Sequence, residues 1–360
     1  MLGCFRKHTA DISGLSQLLS DDIEYFPPKK QWGALTGVIC WGVNHQRQRS
    51  RKVAQRLGIP FFTLEEGFIA FSRDHTQQNI LKFPLLSVIR DQRGIYYDAR
   101  FPSDLEHLLN QISLSPEQEM HAVQLIDQIL EHNITKFNTL SQTLPVYLQG
   151  DQDRVLVVDQ TYNDFSVYCG LADEQSFLNM MAAAVAENPH AKIVIKTHPK
   201  VVEGVKKGYF TQLIKRYPAA IFCSEYVNPV VLIKSVQKIY TVTSQLGFEG
   251  LLAGKEVHCF GMPFYAGWGL TKDRLTCQRR LRQLSLLELF YASYVQYPLY
   301  LHPESKTRCT LSDIVRYVAS QPCTPVQSVL NAKKSWYPSI KRSARELVRL
   351  WKIRQLKIHS

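Results

Sequence analysis

Three short apolar runs constrain this chain more than any other feature: VLVV at 155–158, IVI at 193–195 and IYTV at 239–242. Each is rich in β-branched residues, lacks the polar alternation of a half-solvated strand, and is followed by a helix-length segment. A strand buried on both faces belongs to a parallel sheet covered by helices. Such strands alternating with helices require an α/β architecture, here a doubly wound parallel sheet. Ligands of such sheets gather at the carboxyl ends of the strands. The residues just after each run are therefore the first place to look for chemistry.

The same alternation occurs earlier in the chain. GVICWGVN (37–44) reads as a strand with a turn, RSRKVAQRLG (49–58) as a helix closed by Gly58, and IPFFTLEEG (59–67) as a strand with an acidic end. LLSVIRDQRGIYYDA (85–99) reads as a hairpin turning at Asp91–Gly94, and residues 103–145 are helical in pattern. In the second half, helices are expected over Asp173–Glu187, near 206–216 and near 228–236, with AAIFCSE (219–225) as a further strand. The organisation is then two Rossmann-like domains, 1–148 and 149–300, facing a central cleft. C-terminal helices at 301–330 pack on the core, and a tail follows at 331–360.

Hydrophobic residues make up 45% and charged residues 21%, a globular profile, and no apolar run approaches the length of a transmembrane helix. MLGCFRKHTADISG lacks the apolar core and cleavage site of a signal peptide. The eight cysteines are scattered, never as CxxC, and read as reduced thiols of a cytoplasmic protein. The net charge of +12 invites a nucleic-acid reading, but residues 331–360 hold nine Lys or Arg against one Glu, so most of the excess sits there. No nucleic-acid motif accompanies it, and no nucleic-acid partner is expected. Ile340, Leu347, Leu350, Trp351 and Ile358 recur at roughly helical spacing in that tail. It reads as a basic amphipathic helix for an anionic membrane surface or a partner, or as a solvated terminal helix.

Asp159 follows the first of the three runs, where it can be a helix N-cap, a metal ligand, a base or a nucleophile. KIVIKTHPK places His198 and Pro199 past a strand between Lys196 and Lys200, where a histidine can donate to a phosphate or serve the structure alone. In VTSQLGFEGLLAGK, Thr243 and Ser244 look like the N-cap of a helix closed by Gly254. The cap satisfies the helix's own amides and also makes an anion site. Glu249, on that helix, can reach a ribose hydroxyl or lie on the surface. Glu65 and Glu66 point to opposite faces of their strand, so one of them faces the cleft or both belong to a solvated turn. FGMPFYAGWG (260–269) combines glycines, Gly267 among them, with Phe264, Tyr265 and Trp268, which can pack on a sugar or base. DQD at 151–153 has the form of a DxD metal motif, but it precedes a strand and reads as a connector. No metal ligand is assigned.

Taken in order, WG at 41–42 with Arg residues downstream, EEG at 65–67, RGIYYDA, VLVVDQT, KTHP, VNP at 227–229, VTSQLGFEGLLAGK and HCFGMPFYAGWGLT are a recognisable series. Over about residues 35–320 the chain resembles the bacterial capsule-assembly KpsC (LipA) family of β-Kdo transferases. The resemblance implies a GT-B-like pair of Rossmann domains, with the first on the acceptor side and the second binding the CMP-sugar. It implies CMP-β-Kdo as donor with no further cofactor, a retained β linkage, and a glycolipid or oligosaccharide acceptor at the inner face of the inner membrane. Asp159 then looks like the nucleophile, Glu66 or Glu65 the acid/base, and His198, Ser244 and the helix amides the partners of the leaving phosphate. CMP carries a single phosphate, so a metal is dispensable. Gln160, Lys196, Pro199, Asn228, Thr243, Gln245 and Glu249 join the expected donor site. Trp41, Gly42, Arg47 and Arg49 are further candidates, the arginines for the Kdo carboxylate. The acidic-acidic-Gly, HP and Ser/Thr elements are also similar to those of bacterial sialyltransferases, which implies an inverting alternative with Glu66 as base. Where the family pattern reads Glu-Asp-Gly-Phe-Leu-Arg-Ser, this chain has Glu65-Glu66-Gly67-Phe68-Ile69-Ala70-Phe71-Ser72, without the Arg. Longer relatives carry two modules in tandem, so one module predicts one linkage.

Overall fold

The computed structural model describes residues 1–71, 85–136, 138, 140–197, 201, 207–211 and 216–322. Two sheets organise them. The first contains β1 (Leu2–Cys4), β2 (Ile23–Tyr25), β3 (Gly37–Trp41), β4 (Phe61–Glu66) and β5 (Ser87–Asp91). The second contains β6 (Arg154–Val158), β7 (Lys192–Lys196), β8 (Ile221–Cys223), β9 (Lys238–Thr241), β10 (Glu256–Cys259) and β11 (Lys272–Asp273). The chain then returns to the first sheet with β12 (Pro298–Leu301) and β13 (Arg308–Cys309).

The second sheet is parallel throughout, in the order β11-β10-β9-β6-β7-β8. Its central strand β6 is buried at every position, as the unbroken apolar run demands. The order reverses between β6 and β9, which opens a crevice at their carboxyl ends. The first sheet, β13-β12-β5-β4-β3-β1-β2, is mixed: β5 is antiparallel to β4, and β12 is antiparallel to β5 and β13.

Three expectations change here. The 85–99 hairpin does not form: β5 ends at Asp91, and β4 and β12 take both of its edges. Asp91 Oδ1 accepts instead from the Gly94 amide at 2.6 Å, which holds a turn that leads away from the sheet. The segment after 300 is not helices alone, because β12 and β13 extend the first sheet before the helix Leu311–Ser320. The 103–145 stretch breaks into helices Asp104–Gln111 and Pro116–Glu131, each started by a serine N-cap, and then a 3-10 turn at Val146–Leu148. Of the helix expected near 206–216, the described part includes Gly208 bridged to Thr161. The tail at 331–360 lies outside the described residues.

Candidate active site

β6 delivers Asp159 to the carboxyl rim beside the reversal point. Its amide donates to the Lys196 carbonyl at 3.0 Å, and the residue is 6% exposed. Oδ1 accepts from the amides of Gln160 (2.9 Å), Tyr209 (2.9 Å) and Phe210 (3.3 Å). Oδ2 is buried with no hydrogen-bond partner among the described residues. Gly208 makes room for it, since a Cβ there would stand 2.1 Å from Oδ2. Burial pushes the Asp159 carboxyl up to about 7, against the pull of those three amides. The N-cap alternative falls: the next helix, Phe165–Cys169, is capped by Asp164, whose Oδ1 accepts from the Ser166 amide at 3.0 Å.

Gln160 ties the two strand ends together. Its Nε2 donates to Thr243 Oγ1 at 3.0 Å, and its Oε1 accepts from the Thr243 amide at 2.9 Å. Thr243 is also wedged from behind, because a Cβ on Gly170 would stand 2.4 Å from its Cγ2. Ser244 is the N-cap of the helix Gln245–Leu252, its Oγ accepting from the Leu246 amide at 3.3 Å. Lys196 donates to the Glu225 carbonyl at 2.7 Å, and burial lowers its pKa. His198 and Pro199 lie outside the described residues.

The opposite rim carries the acidic pair. Glu66 Oε2 is 3.0 Å from the Lys136 ammonium. Glu65 Oε1 accepts from the Glu66 amide at 3.2 Å, and its carboxyl also hydrogen-bonds Tyr97, whose hydroxyl accepts from the Val43 amide at 3.1 Å. Burial, with Glu66 second, raises Glu65 to about 7, while Lys136 opposes the shift. Gly42, at φ 66°, turns the backbone away just beside Glu65 and Tyr97. Arg47 donates to Thr63 Oγ1 at 3.3 Å and lies 3.9 Å from Asp98, which Arg100 clamps at 2.7 and 2.8 Å.

The rims are held against each other. Gln245 Nε2, at the start of the helix after β9, donates to the Phe68 carbonyl just after β4, at 2.9 Å, and to the Tyr294 hydroxyl at 3.2 Å. Thr135 Oγ1 donates to Glu249 Oε1 at 2.5 Å. Phe68 stacks on Tyr294 at 5.0 Å and meets Phe264 at 4.8 Å. Each such aromatic pair adds about 1 kcal/mol beyond the area it buries.

The model of the family "Capsule polysaccharide biosynthesis protein" matches residues 36–146 and 138–300, which takes in both rims. The chain belongs to this family. It is 38% identical over 320 residues to the capsule polysaccharide modification protein LipA of Neisseria meningitidis serogroup A, covering 86% of this chain and 44% of LipA. It thus spans less than half of that relative's length. It is 35% identical to the lipopolysaccharide-processing protein LpsZ of Rhizobium meliloti over 73% of this chain and 59% of LpsZ. Among solved structures it is similar to the KpsC β-Kdo 2,4 transferase of Thermosulfurimonas dismutans, with TM-score 0.81 and 40% identity over 89% of this chain and 98% of that one. The β-Kdo 2,7 transferase of the same organism shares the fold, at TM-score 0.63 and 24% identity, covering 88% of this chain and 98% of that one. These findings bear out the resemblance to the KpsC and LipA family and the GT-B-like arrangement of two α/β domains.

Within this family fold, several candidates prove structural. Tyr265 and Trp268 are fully buried, the first donating to the Ser244 carbonyl and the second to the Phe264 carbonyl, so neither presents a face to a sugar. Phe264 is buried between Phe68, Tyr96 and Phe248. The aromatic loop is an interdomain core, because its own glycines, such as Gly267 at φ 81°, fold it inward. Asn228 is buried as the N-cap of the helix Pro229–Lys234, with Nδ2 on the Asn133 carbonyl. Trp41 belongs to the first domain's hydrophobic core. Glu249 does not lie on the surface: it is 5% exposed, bound by Thr135 and Gln245, and raised to about 7 by burial. Arg49 lies over Phe5 and Phe26 at the far edge of the first sheet.

Sequence reading missed three parts of the site. Gly208–Phe210, which positions Asp159, was hidden in a segment read as helix. Lys136 follows a helix with no motif around it. Tyr97 stood in RGIYYDA, and only the false hairpin kept it away from the acidic pair.

Proposed function

We propose that this chain is a retaining β-Kdo glycosyltransferase that moves Kdo from CMP-β-Kdo to a glycan or glycolipid acceptor in bacterial surface polysaccharide biosynthesis. One observation carries the reading: Asp159 stands at the crevice with one oxygen fixed by three amides and the other buried with no partner among the described residues. Oδ2 attacks the anomeric carbon as its bond to the CMP phosphate breaks, giving a glycosyl ester with inverted configuration and free CMP. The acceptor hydroxyl then attacks the same carbon, its proton passes to Glu65, and the Asp159 carboxylate leaves, restoring the β configuration. Tyr97 and the Glu66 amide hold Glu65 for that transfer. The Ser244 hydroxyl and the amides of the helix it starts face the departing phosphate. A monophosphate leaving group gives no diphosphate for a cation to bridge, so the reading asks for no metal. It places the work at the cytoplasmic face of the inner membrane. No helix among the described residues is long and apolar enough to cross a membrane.

The test is intact-protein mass after incubation with CMP-Kdo made in situ, without acceptor. Wild type should gain one Kdo and Asp159→Asn none. An adduct that persists in the variant would move the nucleophile elsewhere. The Glu66–Lys136 ion pair favours a second reading, an inverting transfer with Glu66 as base. Inverted configuration in the product would select it.

A further inference from the structure

The outer edge of the first sheet carries a feature that glycosyl transfer does not use. β1, β2, β3 and β4 run parallel, so Phe5–Lys7, Phe26 and Gly42 emerge on the same rim as Glu65 and Glu66. Phe26 is 50% exposed, and its backbone sits at φ 49°, a left-handed conformation that costs a bulky residue on the order of 1 kcal/mol. Tyr25 beside it is 45% exposed. The Phe26 ring meets Phe5 edge-on at 5.8 Å, and the Arg49 guanidinium lies 5.2 Å over Phe26 and 5.6 Å over Phe5.

Cations surround these rings. Arg6, Lys7, Lys29 and Lys30 are exposed. The helix His45–Leu57 adds Arg49, exposed over both rings, and contains no Asp or Glu. The acids near this end of the rim are few: Asp11 is exposed, its amide on the Lys7 carbonyl at 3.1 Å, and Glu24 is half-buried on the edge strand, while Glu65 and Glu66 lie further along. The Tyr25 and Phe26 rings lie side by side, 6.1 Å apart, bordered by these cations. Rings that settle among headgroups, bordered by cations, are the chemistry an anionic bilayer recognises.

We propose that this rim is a docking surface for an anionic phospholipid bilayer. β2 lies three strands from β4, about 15 Å along the rim, so docking brings the acidic pair within a headgroup's reach of the membrane. The inference stands apart from the transferase reading, because binding is measured without turnover.

The full chain is sedimented with vesicles of phosphatidylcholine alone and with vesicles one-third phosphatidylglycerol. It should partition onto the anionic vesicles only. The Lys7→Gln and Arg49→Gln changes should each lower the partition coefficient about fivefold, and Phe26→Asn should lower it by a similar factor. Asparagine is at ease at positive φ, so this change removes the ring without straining the backbone, and an unchanged melting temperature would show an intact fold. Residues 331–360 are themselves basic, so a second measurement reads the rim directly. The emission of a Phe26→Trp variant, less that of wild type, should shift to the blue on anionic vesicles. Equal partition of wild type and all three variants would overturn the proposal. So would a bound Phe26→Trp variant with no shift, or retention by single-stranded RNA without vesicle binding.

Discussion

Asp159 and Glu65 end strands of different sheets, and both carboxyls are pushed up to about 7, yet by different surroundings. Asp159 is raised by burial alone, against three backbone amides that grip one oxygen. Glu65 is raised by burial and by the like charge of Glu66, and lowered by the Lys136 ammonium and Tyr97. The first surrounding fixes an atom in place, which suits bond formation at a carbon. The second balances opposed charges around a proton, which suits exchange with a hydroxyl. Glu249 is the control: its carboxyl is raised to the same range by burial, but Thr135 from across the domain interface and Gln245 from its own helix occupy it. A shifted carboxyl is therefore not a reactive one until an unpartnered oxygen and a crevice go with it.

The contrast is open to direct attack, beginning with the largest effect. Asp159→Asn keeps the size and the amide contacts to Oδ1 but removes the nucleophile, and kcat should fall at least about 10³-fold. A loss under tenfold in a steady-state transfer assay would break the assignment. Glu65→Gln should lower kcat/KM for the acceptor by about 10²-fold or more. It should also abolish the fall of that parameter below pH 7 while leaving the acid limb for the donor, which belongs to Asp159. If Glu66→Gln does this instead, the two glutamates exchange roles. Gly208→Ala drives a Cβ onto Asp159 Oδ2, and misplacing that oxygen should cost about 10²-fold in kcat with little change in acceptor KM.

Glu249→Gln tests the control and should leave transfer within a few-fold of wild type. Its folded pKa lies above the usual glutamate value, so the ionised form is disfavoured in the native state, and the penalty grows as pH rises from about 4.5 to about 7. The variant should therefore melt a few degrees higher than wild type at pH 8, and the gap should close by pH 4.5, as scanning calorimetry can show. A large loss of activity at unchanged stability would put Glu249 back among the donor ligands.

Much of this was legible from local pattern. The runs ending at Val158, Ile195 and Val242 announced the second sheet, and Ser244 caps a helix where the sequence signal places it. The carboxyl-end rule then led to Asp159, Thr243 and the acidic pair. The failures share a cause. The hairpin at 85–99 and a helix through 207–211 were read from local periodicity, but the partner of β5 comes from residues 298–301 and that of Thr161 from Gly208. Exposure of the FGMPFYAGWG aromatics was misjudged in the same way, since a glycine-rich stretch looks like a surface loop until a second domain covers it.

The sequence by itself determined which strands are buried on both faces, which helices follow them, and that Asp159 and Glu65–Glu66 stand at strand ends. Those properties depend on side-chain period and capping within a dozen residues. Only the tertiary structure decided that Gly208 and the amides of Tyr209 and Phe210 close on Asp159, that Lys136 pairs with Glu66, and that Glu249 binds Thr135. The physical reason is that these contacts join residues 49 to 114 positions apart. Burial and charge at such a distance are set by which surfaces pack together, and no local pattern records that.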